Sequence, residues 1–89
     1  MTNDDIGRFR DQIREVDREL TAGLNRRLEL VAELKRFKDE HGIPFVDPER
    51  EALLIEERLG ENPGPMSADG LRAFYVELLA LIKREIDQS

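Results

Sequence analysis

Between residues 4 and 41 the chain has no proline and only two glycines, Gly7 and Gly23, and its apolar positions recur with a helical period. Ile6, Ile13, Leu20, Arg27 and Leu34 are spaced by seven, and Arg10, Asp17, Leu24, Val31 and Lys38 form a second series offset by four. These are the two seam positions of a heptad, widened by Phe9, Val16 and Leu28. The stretch Gly42-Ile43-Pro44-Phe45-Val46-Asp47-Pro48 then stops one helix and starts another. Gly42 suits a left-handed C-cap, Pro44 blocks continuation, and Asp47 before Pro48 reads as an N-cap with proline at the first helical position. A second helix runs to about Leu59, Gly60 to Pro65 is a loop, and Ser67 is a candidate N-cap for a third helix ending near Asp87. No segment alternates as a half-buried strand does. The pattern predicts an all-α domain over residues 1–89, with a long, a short and a medium helix over about 4–41, 48–59 and 68–87.

The long helix sets the expected assembly. At 1.5 Å per residue it would extend roughly 57 Å, whereas a compact globule of this size has a radius of gyration of about 12 Å. The two remaining helices are too short to cover such a rod. Part of its apolar stripe must therefore meet another chain, since soluble proteins seldom leave such a stripe in water. The simplest arrangement is a two-fold homodimer, an intertwined helical bundle with the long helices paired.

Composition narrows the chemistry. Fourteen Lys and Arg against twenty Asp and Glu give a net charge of −6, which argues against nucleic acid or an anionic membrane as the main partner. With no cysteine, a disulfide scaffold, a thiolate metal site and a cysteine nucleophile are excluded. A single histidine, His41, leaves no histidine-rich metal site and no support for a His-based triad. Near a helix C-terminus, His41 itself reads as a favourable dipole contact. Neither a membrane span nor a signal peptide is evident, so the expected compartment is the cytoplasm. No glycine-rich phosphate loop or nucleophile elbow occurs, and no cofactor or metal is expected.

The functional hint lies in charges where leucine belongs. Arg10, Asp17, Arg27 and Lys38 occupy seam positions, and an unpaired buried charge costs several kcal/mol, so the site must supply partners, water or a ligand. Arg27 and Lys38 are eleven residues apart and lie within roughly 20° of one helix face. Two cations on one inward face describe a cleft for an anion. The competing reading is that these long side chains reach the rim and pair with Asp17 or glutamates. On the second helix, Asp47 and Glu51 share a face with Arg50 beside them, which is also what capping chemistry would produce. On the third, Leu71, Phe74, Leu78, Leu81 and Glu85 fall on one stripe, so that Glu85 continues an apolar face.

These residues resemble the all-helical class of chorismate mutases, intertwined dimers with three helices per chain. The resemblance spans nearly the whole chain. It rests on Phe9-Arg10 with Ile13 and Asp17, on Arg26-Arg27 followed by Lys38, and above all on Gly42-Ile43-Pro44 leading into Asp47-Pro48-Glu49-Arg50-Glu51. The reaction it implies is the pericyclic rearrangement of chorismate to prephenate, on the route to phenylalanine and tyrosine, which uses no nucleophile, metal or cofactor.

The resemblance also implies roles. Arg27 would bind one substrate carboxylate and Arg10 the other, reaching across from the opposite subunit, so that each active site is shared. Lys38 would bind a carboxylate and donate to the ether oxygen. Glu51 and the Asp47 region would hold the ring hydroxyl, with Arg50 ordering that corner. The second donor to the ether oxygen, glutamine in many relatives, falls on Glu85, which donates only when protonated. An alternative register puts Gln88 in that role and Glu77 on the apolar face. Where many relatives have a serine touching a carboxylate, this chain has Leu81. Other functions stay open beside the mutase. Isochorismate-pyruvate lyases share the scaffold. The loop from Glu61 to Pro65 is similar to that of mutase domains fused to, or associated with, the first synthase of the shikimate pathway, where the domain can be regulatory. A helical dimerisation module with register-setting charges is the non-enzymatic alternative.

Overall fold

The computed structural model describes residues 2–88. They form three helices, α1 (Asn3–Glu40), α2 (Pro48–Glu61) and α3 (Ala68–Gln88), and no strand occurs among the described residues. The chain divides into two units, one up to Leu30 and one from Val31 onward.

The first unit is the leading part of α1. Its start is fixed by a capping box: the Thr2 hydroxyl accepts from the Asp5 N–H at 3.3 Å, and the Asp5 carboxylate accepts from the Thr2 N–H at 3.2 Å. Along its length, ion pairs three residues apart join Arg14 to Asp11 at 2.9 Å, Arg18 to Glu15 at 2.9 Å and Arg26 to Glu29 at 3.5 Å. Each contributes a few tenths of a kcal/mol at such exposed positions. The apolar seam, in contrast, is uncovered within the unit: Ile13 is 59% exposed and Leu20 62%.

The second unit opens with the end of α1, which closes in a Schellman motif. Gly42, at φ +66°, is in the left-handed conformation expected of a helix stop. The Ile43 N–H donates to the Lys38 carbonyl at 2.8 Å and the Gly42 N–H to the Asp39 carbonyl at 3.4 Å, satisfying two carbonyls that the helix itself leaves free. Asp47 then caps α2 by accepting from the Arg50 N–H at 3.1 Å, and Pro48 takes the first helical position.

α2 extends two residues beyond Leu59 because Gly60 is accommodated within the last turn and the stop comes at Asn62-Pro63. Asn62 organises the following loop, donating to the Met66 carbonyl at 2.8 Å and accepting from the Gly64 N–H at 3.1 Å. Ser67 caps α3 by accepting from the Gly70 N–H at 3.0 Å. A Cβ at residue 70 would come within 3 Å of the Met66 terminal methyl and the Ser67 hydroxyl, so a larger residue there would push the end of the Met66 side chain aside.

α2 and α3 pack as an antiparallel pair. Arg72 bonds Glu56 at 2.9 Å near the loop, and Lys83 bonds Glu51 at 2.6 Å toward the far end. Ile82 and Ile86 are buried, with Tyr75 and Leu79 half-buried on the same face. This face lies beside the stripe expected on α3. The buried face lies roughly 80° around the helix from the mean direction of Leu71, Phe74, Leu78, Leu81 and Glu85. Phe74 and Leu81 stay exposed in the single chain, at 49% and 37%, and so does Glu85. α3 therefore has two apolar flanks, one with the buried Ile82 and Ile86 and one that is covered only in part, at the half-buried Leu71 and Leu78.

Candidate functional site

The second unit holds six of the eight candidate residues: Lys38, Asp47, Arg50, Glu51, Leu81 and Glu85. Lys38 sits in the last turn of α1, and its position follows from the helix stop. Its carbonyl is held by the Ile43 N–H, and its ammonium donates to the Phe45 carbonyl at 3.4 Å across the turn that Gly42 and Pro44 enforce. Phe45 is also approached by Lys35, whose ammonium lies 5.8 Å from the ring centroid and pairs with Asp39 at 2.8 Å. The half-buried Lys38 thus has a carbonyl for company and no carboxylate, while its neighbour Lys35 has one.

Asp47 is committed to its cap. Glu51, one turn further, belongs to the half-buried face of α2 with Ile55, Arg58 and Asn62, and its carboxylate meets Lys83. Arg50 does not turn to either acid. Its guanidinium is 3.9 Å from Glu57, about two turns along α2, and only its backbone N–H serves Asp47. Leu81 and Glu85 lie on the exposed flank of α3. Glu85 continues an apolar stripe as expected, and the chain's own fold covers that stripe only in part, leaving Phe74 and Leu81 exposed. Gln88 and Glu77 are exposed as well.

Arg10 and Arg27 belong to the first unit, Arg10 exposed and Arg27 half-buried. Among the described residues neither forms an ion pair, and neither does Lys38. Nine of the fourteen cations do, including Arg26 with Glu29 and Arg18 with Glu15. The competing reading of the seam, in which these cations are satisfied by Asp17 or nearby glutamates, is thus not what the described residues do. The cations that pair lie mostly at outward positions, and three that do not are the ones the heptad points inward. An unpaired, half-buried cation such as Arg27 or Lys38 gains from an anionic partner.

Comparison with known proteins assigns the fold to a family. The sequence model of chorismate mutase type II matches residues 9–86. The chain belongs to the chorismate mutase type II family. A solved structure of chorismate mutase from Thermus thermophilus, form I, superposes with a TM-score of 0.85 at 32% identity, covering 88% of this chain and 98% of that one. Form II of the same protein gives 0.89 at 29% identity, covering 96% and 97%. Among curated proteins, a T-protein of Enterobacter agglomerans is 47% identical over 53 residues, which is 60% of this chain and 14% of that protein. A T-protein of Haemophilus influenzae is 43% identical over 62 residues, 68% of this chain and 16% of that protein. The chain therefore spans less than a fifth of the length of these curated relatives. All eight candidate residues of the chorismate mutase pattern fall inside the matched segment.

Two groups escaped the reading of the sequence. Lys83 was not singled out, because nothing in linear spacing separates it from Arg84. Only the choice of face that α3 turns to α2 puts Lys83 against Glu51. The Phe45 carbonyl is a backbone acceptor, and residue identity carries no signal for it. The Gly-x-Pro turn that delivers it was legible.

Proposed function

We propose that this chain catalyses the rearrangement of chorismate to prephenate, as a homodimer in which each active site draws on both subunits. The observation that carries the reading is the family match over residues 9–86, a segment that includes Arg10, Arg27, Lys38, Asp47, Arg50, Glu51, Leu81 and Glu85. It is supported by the uncovered apolar seam of α1 and by the unpaired state of Arg10, Arg27 and Lys38 among the described residues.

The chemistry needs confinement and charge. Chorismate carries two carboxylates and must adopt the conformer that brings its two reacting carbons together, so cations that grip both ends supply orientation. As the C–O bond breaks, negative charge grows on the ether oxygen, and a donor placed there lowers the barrier. In this reading Arg27 and Arg10 of the partner subunit hold the carboxylates. Lys38 holds a carboxylate and donates to the ether oxygen, exchanging its contact with the Phe45 carbonyl for one with substrate. Glu51 accepts from the ring hydroxyl at the start of α2, where Asp47 fixes the first turn and Arg50 lies alongside. Glu85 occupies the place of the second donor, on a flank of α3 that a second chain would cover. Leu81 contributes shape in place of a polar contact.

The test is direct. Chorismate disappearance is followed by ultraviolet absorbance while products are identified. Prephenate is the expected product, with the protein sedimenting as a dimer. Turnover of isochorismate to salicylate and pyruvate, or no turnover of chorismate by a folded dimer, overturns the reading.

A further inference from the structure

One ion pair differs from the others in its surroundings. Lys83 Nζ lies 2.6 Å from Glu51 Oε1 with the side chains 34% and 29% exposed, whereas every other ion pair of the described residues has at least one partner more than half exposed. It also joins two helices, so local helix geometry does not impose it. Water competes less at such a position, and the pair holds its rotamers more firmly than a surface pair does. Glu51 is the residue assigned to the ring hydroxyl, and an ionised carboxylate has two oxygens that act only as acceptors. Lys83 occupies Oε1 and leaves Oε2.

We propose that Lys83 is a positioning residue: it holds the Glu51 carboxylate in the one orientation that presents a free oxygen to the substrate's ring hydroxyl. This rests on the mutase reading of Glu51. The hydroxyl is gripped equally before and during the rearrangement, so the contribution belongs to substrate affinity and little of it to the chemical step. A lysine recruited directly to a substrate carboxylate would instead have to abandon Glu51.

The experiment measures kcat and KM for chorismate on the full chain carrying Lys83→Met, Lys83→Ala, Lys83→Arg, Glu51→Gln and the Glu51→Gln/Lys83→Met pair, with helix content and sedimentation checked for each. Lys83→Met, which keeps the aliphatic stem, is expected to raise KM about tenfold with kcat within about twofold, and Lys83→Arg to restore most of the affinity. In the Glu51→Gln background, Lys83→Met should cost nothing further, because the group it positions is gone. An active wild type whose KM is unmoved by Lys83→Met overturns this assignment and leaves the mutase reading standing. So does an equal loss in both backgrounds, which would make Lys83 a direct substrate ligand. If both Lys83→Met and Lys83→Ala fail to fold, the pair is a brace of the hairpin and the positioning role falls. A folded wild type that does not turn over chorismate overturns the mutase reading, and this assignment with it.

Discussion

The leading unit of α1 and the α2–α3 hairpin contain leucine and isoleucine in similar proportion, six in residues 1–30 and ten in residues 48–88, and they use them in opposite ways. In α3, Ile82 and Ile86 are buried against the chain's own neighbours. In α1 no residue is buried, and Ile13, Val16 and Leu20 are each more than half exposed. The hairpin is tied by cross-helix ion pairs at both ends, while α1 carries only local pairs along its outer faces. A side chain of this kind contributes about 1.5–3 kcal/mol when fully buried, so the α1 stripe is a large store of stabilisation that the single chain leaves unused. The hairpin buries apolar side chains within one chain, and the seam leaves its own uncovered there, as the proposed dimer requires.

The widest gap between the two regions should open on a charge placed in each. Leu20→Asp puts a carboxylate at the centre of the α1 seam, where a dimer would bury it without a partner. The expected outcome is loss of dimer by sedimentation and loss of all measurable activity, with the α2–α3 contacts retained. A variant that remained dimeric and active would show that the seam is not the interface.

Lys38→Ala tests whether the unpaired cations are catalytic or merely unpaired. Removing a transition-state donor costs at least about 100-fold in kcat, and sedimentation should be unchanged because Lys38 forms no ion pair among the described residues. A near-normal kcat would remove Lys38 from the site.

Ile82→Ala moves to the self-sufficient region. Truncating a buried isoleucine costs about 2–5 kcal/mol, read as a lower thermal midpoint, while kcat per folded molecule should hold. The same change at Ile13 should lower the midpoint in a concentration-dependent way, since that side chain would be buried only by association. If the two variants showed the same concentration dependence, the division between self-covered and partner-covered faces would fail. On the exposed flank of α3, Glu85→Gln should keep activity at neutral pH, because an amide carries a donor in every state, whereas Glu85→Ala should lower kcat about tenfold or more. Equal rates for the two would take Glu85 out of the reaction.

Much of the fold was readable in one dimension because its signals are local. Gly42 before Pro44, Asp47 before Pro48, and Ser67 each act on the backbone within a few residues, so identity alone places the helix ends. The heptad of α1 likewise showed its seam and the charges interrupting it. What could not be read was the rotation of α3. Leu71, Phe74, Leu78 and Leu81 make as good a stripe as Tyr75, Leu79, Ile82 and Ile86. The choice between them depends on which face α2 meets, a non-local fact. Lys83 was hidden for the same reason. So was the Lys38 contact with Phe45, since its acceptor is backbone.

The smallest effect concerns the cap of α1, and it separates local helix chemistry from tertiary support. Asp5 accepts from the Thr2 N–H and hydroxyl and from Arg8, and these bonds, the Thr2 backbone bond first, hold its carboxyl below the ordinary value of 3.8. A depressed native value means that the ionised form is favoured by folding. The resulting stabilisation is therefore present above 3.8 and is lost as pH falls through the lower native value. Asp5→Asn should accordingly lower the thermal midpoint slightly at neutral pH, and the gap from wild type should close in strong acid. Thr2→Ala should act in the same direction, since it removes the reciprocal bond to the Asp5 N–H. Neither variant should change kcat. A gap that persisted unchanged into strong acid would mean that the carboxylate charge plays no part in holding the first turn, and that α1 depends on its covered seam alone.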